Sequence, residues 1–197
     1  MDKTLISPPL RSICVYCGSS PSAAQKYIDL AADTGRAIAA RGLRLVYGGG
    51  GFGLMGAAAL AAHHAGGEVL GILPRFLEQR EPPPPEIETV PVDNMHERKM
   101  MMFDASDAFV VLPGGIGTLE EAVETLSWRR LGLHQKPMVF IDKTFWTPFV
   151  HSLDHMIEEN FAPAVFRQAY AVVDNPAEAM HAIDSALADV AAGIARA

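Results

Sequence analysis

Three times in this chain a short apolar run ends directly in glycine and gives way to a stretch with helical spacing. The runs are residues 12–17, followed by Gly18-Ser19-Ser20; Arg44–Tyr47, followed by four glycines; and residues 108–112, followed by Pro113-Gly114-Gly115. Glycine at such a junction lets a strand turn sharply into a helix and lets backbone approach a ligand or a neighbour closely. The alternation continues along the rest of the sequence. Helical periodicity covers residues 23–41, closed by Gly42, and 54–65, closed by Gly66-Gly67; it returns over 95–105, 118–131, 145–160 and from Pro176 onward. Strand-like runs fall at 69–73, 87–92, 138–141 and 170–173. Repeated β-α units predict an α/β protein, a Rossmann-like doubly wound, mainly parallel sheet with helices on both faces and right-handed crossovers.

A length of 197 residues suits one such nucleotide-binding domain, with residues 1–11 as an N-terminal extension. In a sheet of this kind ligands bind beyond the carboxyl ends of the strands, so the three glycine loops are the places to look for chemistry.

The net charge of −7 argues against a broad nucleic-acid surface but not against a small anionic ligand held by backbone N–H groups and a few cations. Apolar stretches are interrupted too early for a membrane span, and the first residues lack the apolar core of a secretory signal. A cytoplasmic protein is expected. Cys14 and Cys17 form a C-x-x-C, yet inside a strand residues three apart point to opposite faces, which predicts two separate semi-buried thiols.

The loop 48–56 contains two overlapping G-x-G-x-x-G matches between a strand and a helix, as a dinucleotide site requires. The acidic residue that should follow on the next strand to hold a ribose hydroxyl is missing from Val69-Leu-Gly-Ile-Leu-Pro74. Close approach of backbone to a ligand or a helix explains these glycines better. The third loop, Leu112-Pro-Gly-Gly-Ile-Gly-Thr-Leu-Glu-Glu121, runs from a strand into a helix whose free N–H groups and dipole suit a phosphate. No Lys-Ser/Thr follows, so a single phosphate fits it better than a triphosphate. Thr118 and Glu121 also have capping-box spacing, and the loop alone leaves capping and catalysis as equal readings of Glu121.

One helix earlier, Met95-His-Glu-Arg-Lys99 places two cations beside a Met-rich stretch. His96-Glu97 lacks the second histidine of a zinc motif, His63 and His64 lie on different helix faces, and no metal is expected. Met100, Met101 and Met102 suit core or subunit contact.

Together, Pro113-Gly-Gly-Ile-Gly-Thr-Leu-Glu-Glu121 and Met95-His-Glu-Arg-Lys99 closely resemble the LOG (Lonely Guy) family of cytokinin riboside 5′-monophosphate phosphoribohydrolases. Ile13-Cys-Val-Tyr-Cys-Gly-Ser-Ser20, Val46-Tyr-Gly-Gly-Gly50, Gly53-Leu-Met-Gly56, Trp128 and Leu131-Gly-Leu-His134 extend the resemblance over roughly residues 12–160. It implies hydrolysis of the N-glycosidic bond of a nucleoside 5′-monophosphate, without cofactor, by a homodimer. It also implies Arg98 and Glu121 as catalytic residues. Lys99, Gly18, Ser19, Gly114, Gly115, Ile116, Gly117 and Thr118 would bind the nucleotide. Glu81, preceded by Arg80, and Ser127, where the family usually has Thr, are further substrate contacts. The four prolines at 82–85 depart from the family's loop. A non-catalytic nucleotide or molybdenum-cofactor carrier of the same superfamily is the alternative, and the pair Arg98 and Glu121 favours the enzyme. Members of the superfamily are often labelled lysine decarboxylases, but the five lysines offer no setting for a pyridoxal Schiff base.

Overall fold

The computed structural model describes residues 9–193. Seven strands form a single sheet: β1 (Ser12–Tyr16), β2 (Arg44–Tyr47), β3 (Val69–Pro74), β4 (Glu88–Val92), β5 (Ala108–Val111), β6 (Met138–Ile141) and β7 (Ala171–Val173). Six α-helices follow strands in turn, with none between β3 and β4: α1 (Gln25–Ala40), α2 (Gly53–His64), α3 (Met95–Asp104), α4 (Ile116–Arg130), α5 (Lys143–Glu158) and α6 (Pro176–Ala191). The strand order is β4-β3-β2-β1-β5-β6-β7 and every pair is parallel. The winding therefore reverses between β1 and β5, where adjacent loops diverge and leave a crevice. The extension expected over residues 1–11 falls largely outside the described residues.

Burial on both faces explains why the central strands read as unbroken apolar runs. Ile13, Val15 and Cys17 join a core cluster with residues of α1, α2 and α6, while Cys14 and Tyr16 join the opposite cluster with residues of α3, α4 and α5. The two thiols are thus buried on opposite sides of the sheet, as the strand reading expected. Pro91 is accommodated because β4 is an edge strand, hydrogen-bonded on one side only. Among the described residues no helix is long and apolar enough to cross a membrane.

Helix termini follow local chemistry. Asn94 caps α3 by accepting from Glu97 N–H at 2.9 Å, and the Glu97 carboxylate returns to Asp93 N–H at 2.9 Å. The start of α4 corrects the sequence reading. The helix begins at Ile116, two residues before the expected Thr118, with Gly115 as its N-cap and no side-chain capping bond. Thr118 is buried in the first turn, and Glu121 lies deeper in the helix facing inward. The capping-box reading of Glu121 fails because Thr-x-x-Glu is equally the spacing of two residues one turn apart inside a helix.

Candidate active site

The loops after β1 and β5 meet backbone to backbone: Gly18 N–H donates to Pro113 O at 3.1 Å. The Gly18 carbonyl in turn accepts from Leu54 N–H (3.0 Å) and Met55 N–H (3.3 Å), the first-turn donors of α2. That contact occupies two of the first-turn donors that a dinucleotide pyrophosphate would otherwise meet at α2, which weighs against the G-x-G-x-x-G matches as a dinucleotide site. The start of α4 differs. Gly115, Ile116 and Gly117 are exposed, and a Cβ at either glycine would meet nothing within 4 Å. The first-turn N–H groups of a helix have no partner within the helix, so this end presents donors and positive potential to open space.

Beside it lies a cavity of about 290 Å³. Cys17, Gly18, Ser19 and Ser20 from the β1 loop, Met55, Leu77, Glu81 and Arg98 line it, with Gly115, Gly117, Thr118 and Glu121 from α4. A smaller recess among Ala23, Tyr27, Leu54, Gly114 and Phe145 adjoins it through Gly18 and Gly115. A cleft of about 210 Å³ among Pro137, Ala171 and Ser185 is at the opposite edge of the sheet and collects none of the predicted groups.

Arg98 reaches the cavity from α3 with only 5% of its surface exposed. Its Nε donates to Ile72 O at 3.3 Å and its Nη2 to Gly48 O at 3.0 Å. Any Cβ at Gly48 would collide with Nη2, so the first glycine after β2 makes room for the guanidinium. The remaining nitrogen, Nη1, stands 3.4 Å from Glu121 Oε1. Burial raises the Glu121 pKa to about 7, outweighing the opposing pull of Arg98. Burial, reinforced by Glu121, also pushes the Cys17 thiol far up, so it is no nucleophile at neutral pH. On the other wall Ser19 Oγ donates to Glu81 Oε1 at 2.9 Å.

Arg98, Glu121, Glu81, Gly18, Ser19, Gly115, Gly117 and Thr118 are therefore brought together. Gly114 faces the adjoining recess, and the Ile116 side chain points to solvent, leaving its N–H as the group near the cavity. Lys99 and Ser127 do not line the cavity in this chain. Lys99 Nζ pairs with Glu120 at 2.6 Å and Glu124 at 3.0 Å, and Ser127 is exposed on α4. Sequence reasoning missed the carbonyls of Gly48 and Ile72 that hold Arg98, and the lining residues Met55 and Leu77. The glycine at 48 was the one visible sign of the first. Among the described residues no three His, Cys, Asp or Glu side chains converge as a metal site would require, and none of the lysines lines the cavity.

A family profile described as possible lysine decarboxylase matches residues 55–183. Over 153 residues the chain is 44% identical to the cytokinin riboside 5′-monophosphate phosphoribohydrolase LOG of Oryza sativa subsp. japonica, covering 77% of this chain but 63% of that relative. The chain thus spans just under two thirds of the rice protein's length. A cytokinin riboside 5′-monophosphate phosphoribohydrolase of Rhodococcoides fascians is 41% identical over 185 residues, 90% of this chain and 91% of its own. Among solved structures, the molybdenum cofactor binding protein of Rippkaea orientalis superposes with a TM-score of 0.69 at 20% identity, covering 91% of this chain and 98% of its own. The molybdenum cofactor carrier protein of Chlamydomonas reinhardtii gives 0.67 at 24% identity, covering 91% and 99%. These two share the fold.

Proposed function

Because this chain belongs to the LOG family, we propose that it hydrolyses the N-glycosidic bond of an adenosine 5′-monophosphate, N6-prenylated or plain, to free base and ribose 5-phosphate. The observation that carries this reading is the buried Arg98–Glu121 pair on the wall of a cavity that also contains the open N-terminus of α4.

The phosphate sits against the N–H groups of residues 115–118, where the helix dipole favours an anion. Ribose then lies between Glu121 and Glu81. As the bond from C1′ to the base breaks, positive charge builds on the ribosyl ring, as in glycoside hydrolysis generally. The Glu121 carboxylate stabilises that charge and takes a proton from the water that attacks C1′. The departing base ends with one proton, so the water supplies both the new C1′ hydroxyl and, through Glu121, that proton. Arg98, fixed by two carbonyls, holds Glu121 in place and offsets negative charge. Glu81, braced by Ser19, accepts from ribose hydroxyls. Among the described residues no lysine lines the cavity to form a Schiff base, which weighs against a lysine decarboxylase reading.

Incubation of the pure protein with N6-isopentenyladenosine monophosphate and with AMP, followed by separation of products, tests the assignment. Free base and ribose 5-phosphate are expected. Nucleotide binding without base release would establish a carrier instead.

The molecule works as a homodimer in this reading. Val123 on α4 and the following Leu131 are exposed apolar side chains at the helical spacing that puts them on one face with Ser127, and Met101 and Leu133 are exposed apolar side chains as well. A partner covering that face would also enclose Ser127. Val123→Glu with Leu131→Glu is expected to give a monomer by light scattering; an unchanged dimer would place the contact elsewhere. The net charge of −7 supports a small-molecule substrate over a nucleic acid.

A further inference from the structure

The run of four prolines at 82–85 has no part in the chemistry above, yet it begins at the residue after Glu81. A residue that precedes proline is pushed out of the helical region, and each proline fixes its own φ. Glu81 and the first three prolines are all followed by proline, so all four are restricted to extended backbone. The chain is tied on both sides of this restriction. Glu81 N–H donates to Leu77 O at 2.8 Å, and Pro82 O accepts from Gly51 N–H at 3.0 Å. Further on, Ile87 N–H donates to Pro84 O at 3.1 Å. Pro84 is buried, while Pro82 and Pro85 are exposed. Gly51 permits the latch, because a Cβ there would stand 2.6 Å from Pro82 O. Meanwhile Gly50 lies under the Glu81 carboxylate: a Cβ at Gly50 would be 3.1 Å from Oε2.

We propose that residues 82–85, latched to Gly51, form a positioning strap that holds the Glu81 carboxylate inside the cavity before the nucleotide arrives. The proposal rests on the reading of Glu81 as the acceptor for ribose hydroxyls. Its physical basis is a competition. Glu81 is a carboxylate on the wall of a confined cavity, so hydration favours turning it outward. A flexible loop would have to be ordered against that tendency each time substrate bound, and the ordering would be subtracted from affinity. Prolines remove the disordered alternatives in advance. The exposed Pro82 and Pro85 are positioning residues, and they touch no substrate.

The test uses Glu121→Gln protein, in which turnover does not consume the ligand, titrated with AMP by calorimetry. Pro82→Ala with Pro85→Ala removes backbone restraint from two exposed positions and is expected to weaken AMP roughly three- to tenfold. Added to Glu81→Gln, the same pair of substitutions is expected to cause no further loss. Gly51→Ala, which displaces the latch directly, should show the same non-additivity. Equal weakening with and without Glu81→Gln would mean that the strap only supports the fold, and would overturn the proposal. So would an unchanged affinity in the proline variant. If Glu81→Gln alone left AMP affinity unchanged, the ribose reading of Glu81 would fail first and take the strap with it. Because binding is measured, none of these outcomes depends on whether the wild-type protein releases base.

Discussion

Nη1 of Arg98 lies 3.4 Å from Oε1 of Glu121, and both side chains are almost sealed from solvent. The guanidinium is shared, since Nε and Nη2 are committed to the carbonyls of Ile72 and Gly48. Arg98 therefore orients Glu121 without keeping it fully ionised, which leaves a carboxyl able to take and release a proton near neutral pH.

Glu121→Gln keeps the shape of the side chain and removes its charge and basicity. Base release is expected to fall by at least ~100-fold, the usual scale for losing a general base. AMP binding should persist, since the N–H groups of residues 115–118 are untouched. With α4 starting at Ile116, the substitution removes no helix cap, and the melting temperature should not drop. A collapse of the fold on calorimetry would contradict this.

The pH dependence follows from the Glu121 pKa of about 7. In the proposed mechanism the ionised form is the active one, so kcat/KM should rise with pH around a midpoint near 7. Stability moves the other way. A carboxyl with a folded-state pKa above its unfolded value near 4.5 binds more protons when folded, so its contribution is complete below the unfolded value. It is lost as pH rises through about 7. Melting curves of wild type and Glu121→Gln across that window should diverge, with the variant losing less stability.

Arg98→Lys keeps one positive charge but cannot serve two carbonyls and a carboxylate from a single ammonium. A loss of kcat/KM of at least about tenfold is expected, the scale of one misplaced charge-assisted hydrogen bond. Weaker support of the ionised carboxylate should also move the rate midpoint to higher pH. An unchanged pH profile would show that Arg98 does not govern Glu121.

Much of this architecture is written in the chain. The strand-glycine-helix junctions at Gly18, Gly48 and Gly114 are local signals, and they located the loops after β1, β2 and β5, though not the connection after β3 that brings Leu77 and Glu81 to the cavity. The order of the strands is not local, and neither is the sharing of Arg98 among three acceptors. Gly48 follows β2 and Ile72 lies in β3, both far in sequence from Arg98, and only tertiary packing joins them. The start of α4 was misread for a different reason. One spacing serves both a cap and an interior turn, and propensity cannot choose between them.

Lys99 illustrates the same limit. The family resemblance implied a nucleotide contact, whereas its Nζ bridges Glu120 and Glu124 and ties α3 to α4. Lys99→Met is expected to lower stability by about 1 kcal/mol, the upper range for a part-exposed ion pair. Its effect on AMP affinity should stay below about threefold, too small for a lost phosphate contact in a charge-assisted site. Thermal melts and calorimetry on the one variant separate these roles.

The bond from the Gly18 carbonyl to the first turn of α2 has a consequence for ligand length. Two helices begin at the crevice, but two first-turn donors of one of them are already taken by the protein's own backbone. In the proposed reading a nucleotide would meet a single anchoring point for its phosphate tail, at the start of α4. The protein would then count phosphates by the helix ends it leaves unspent, and its count would be one.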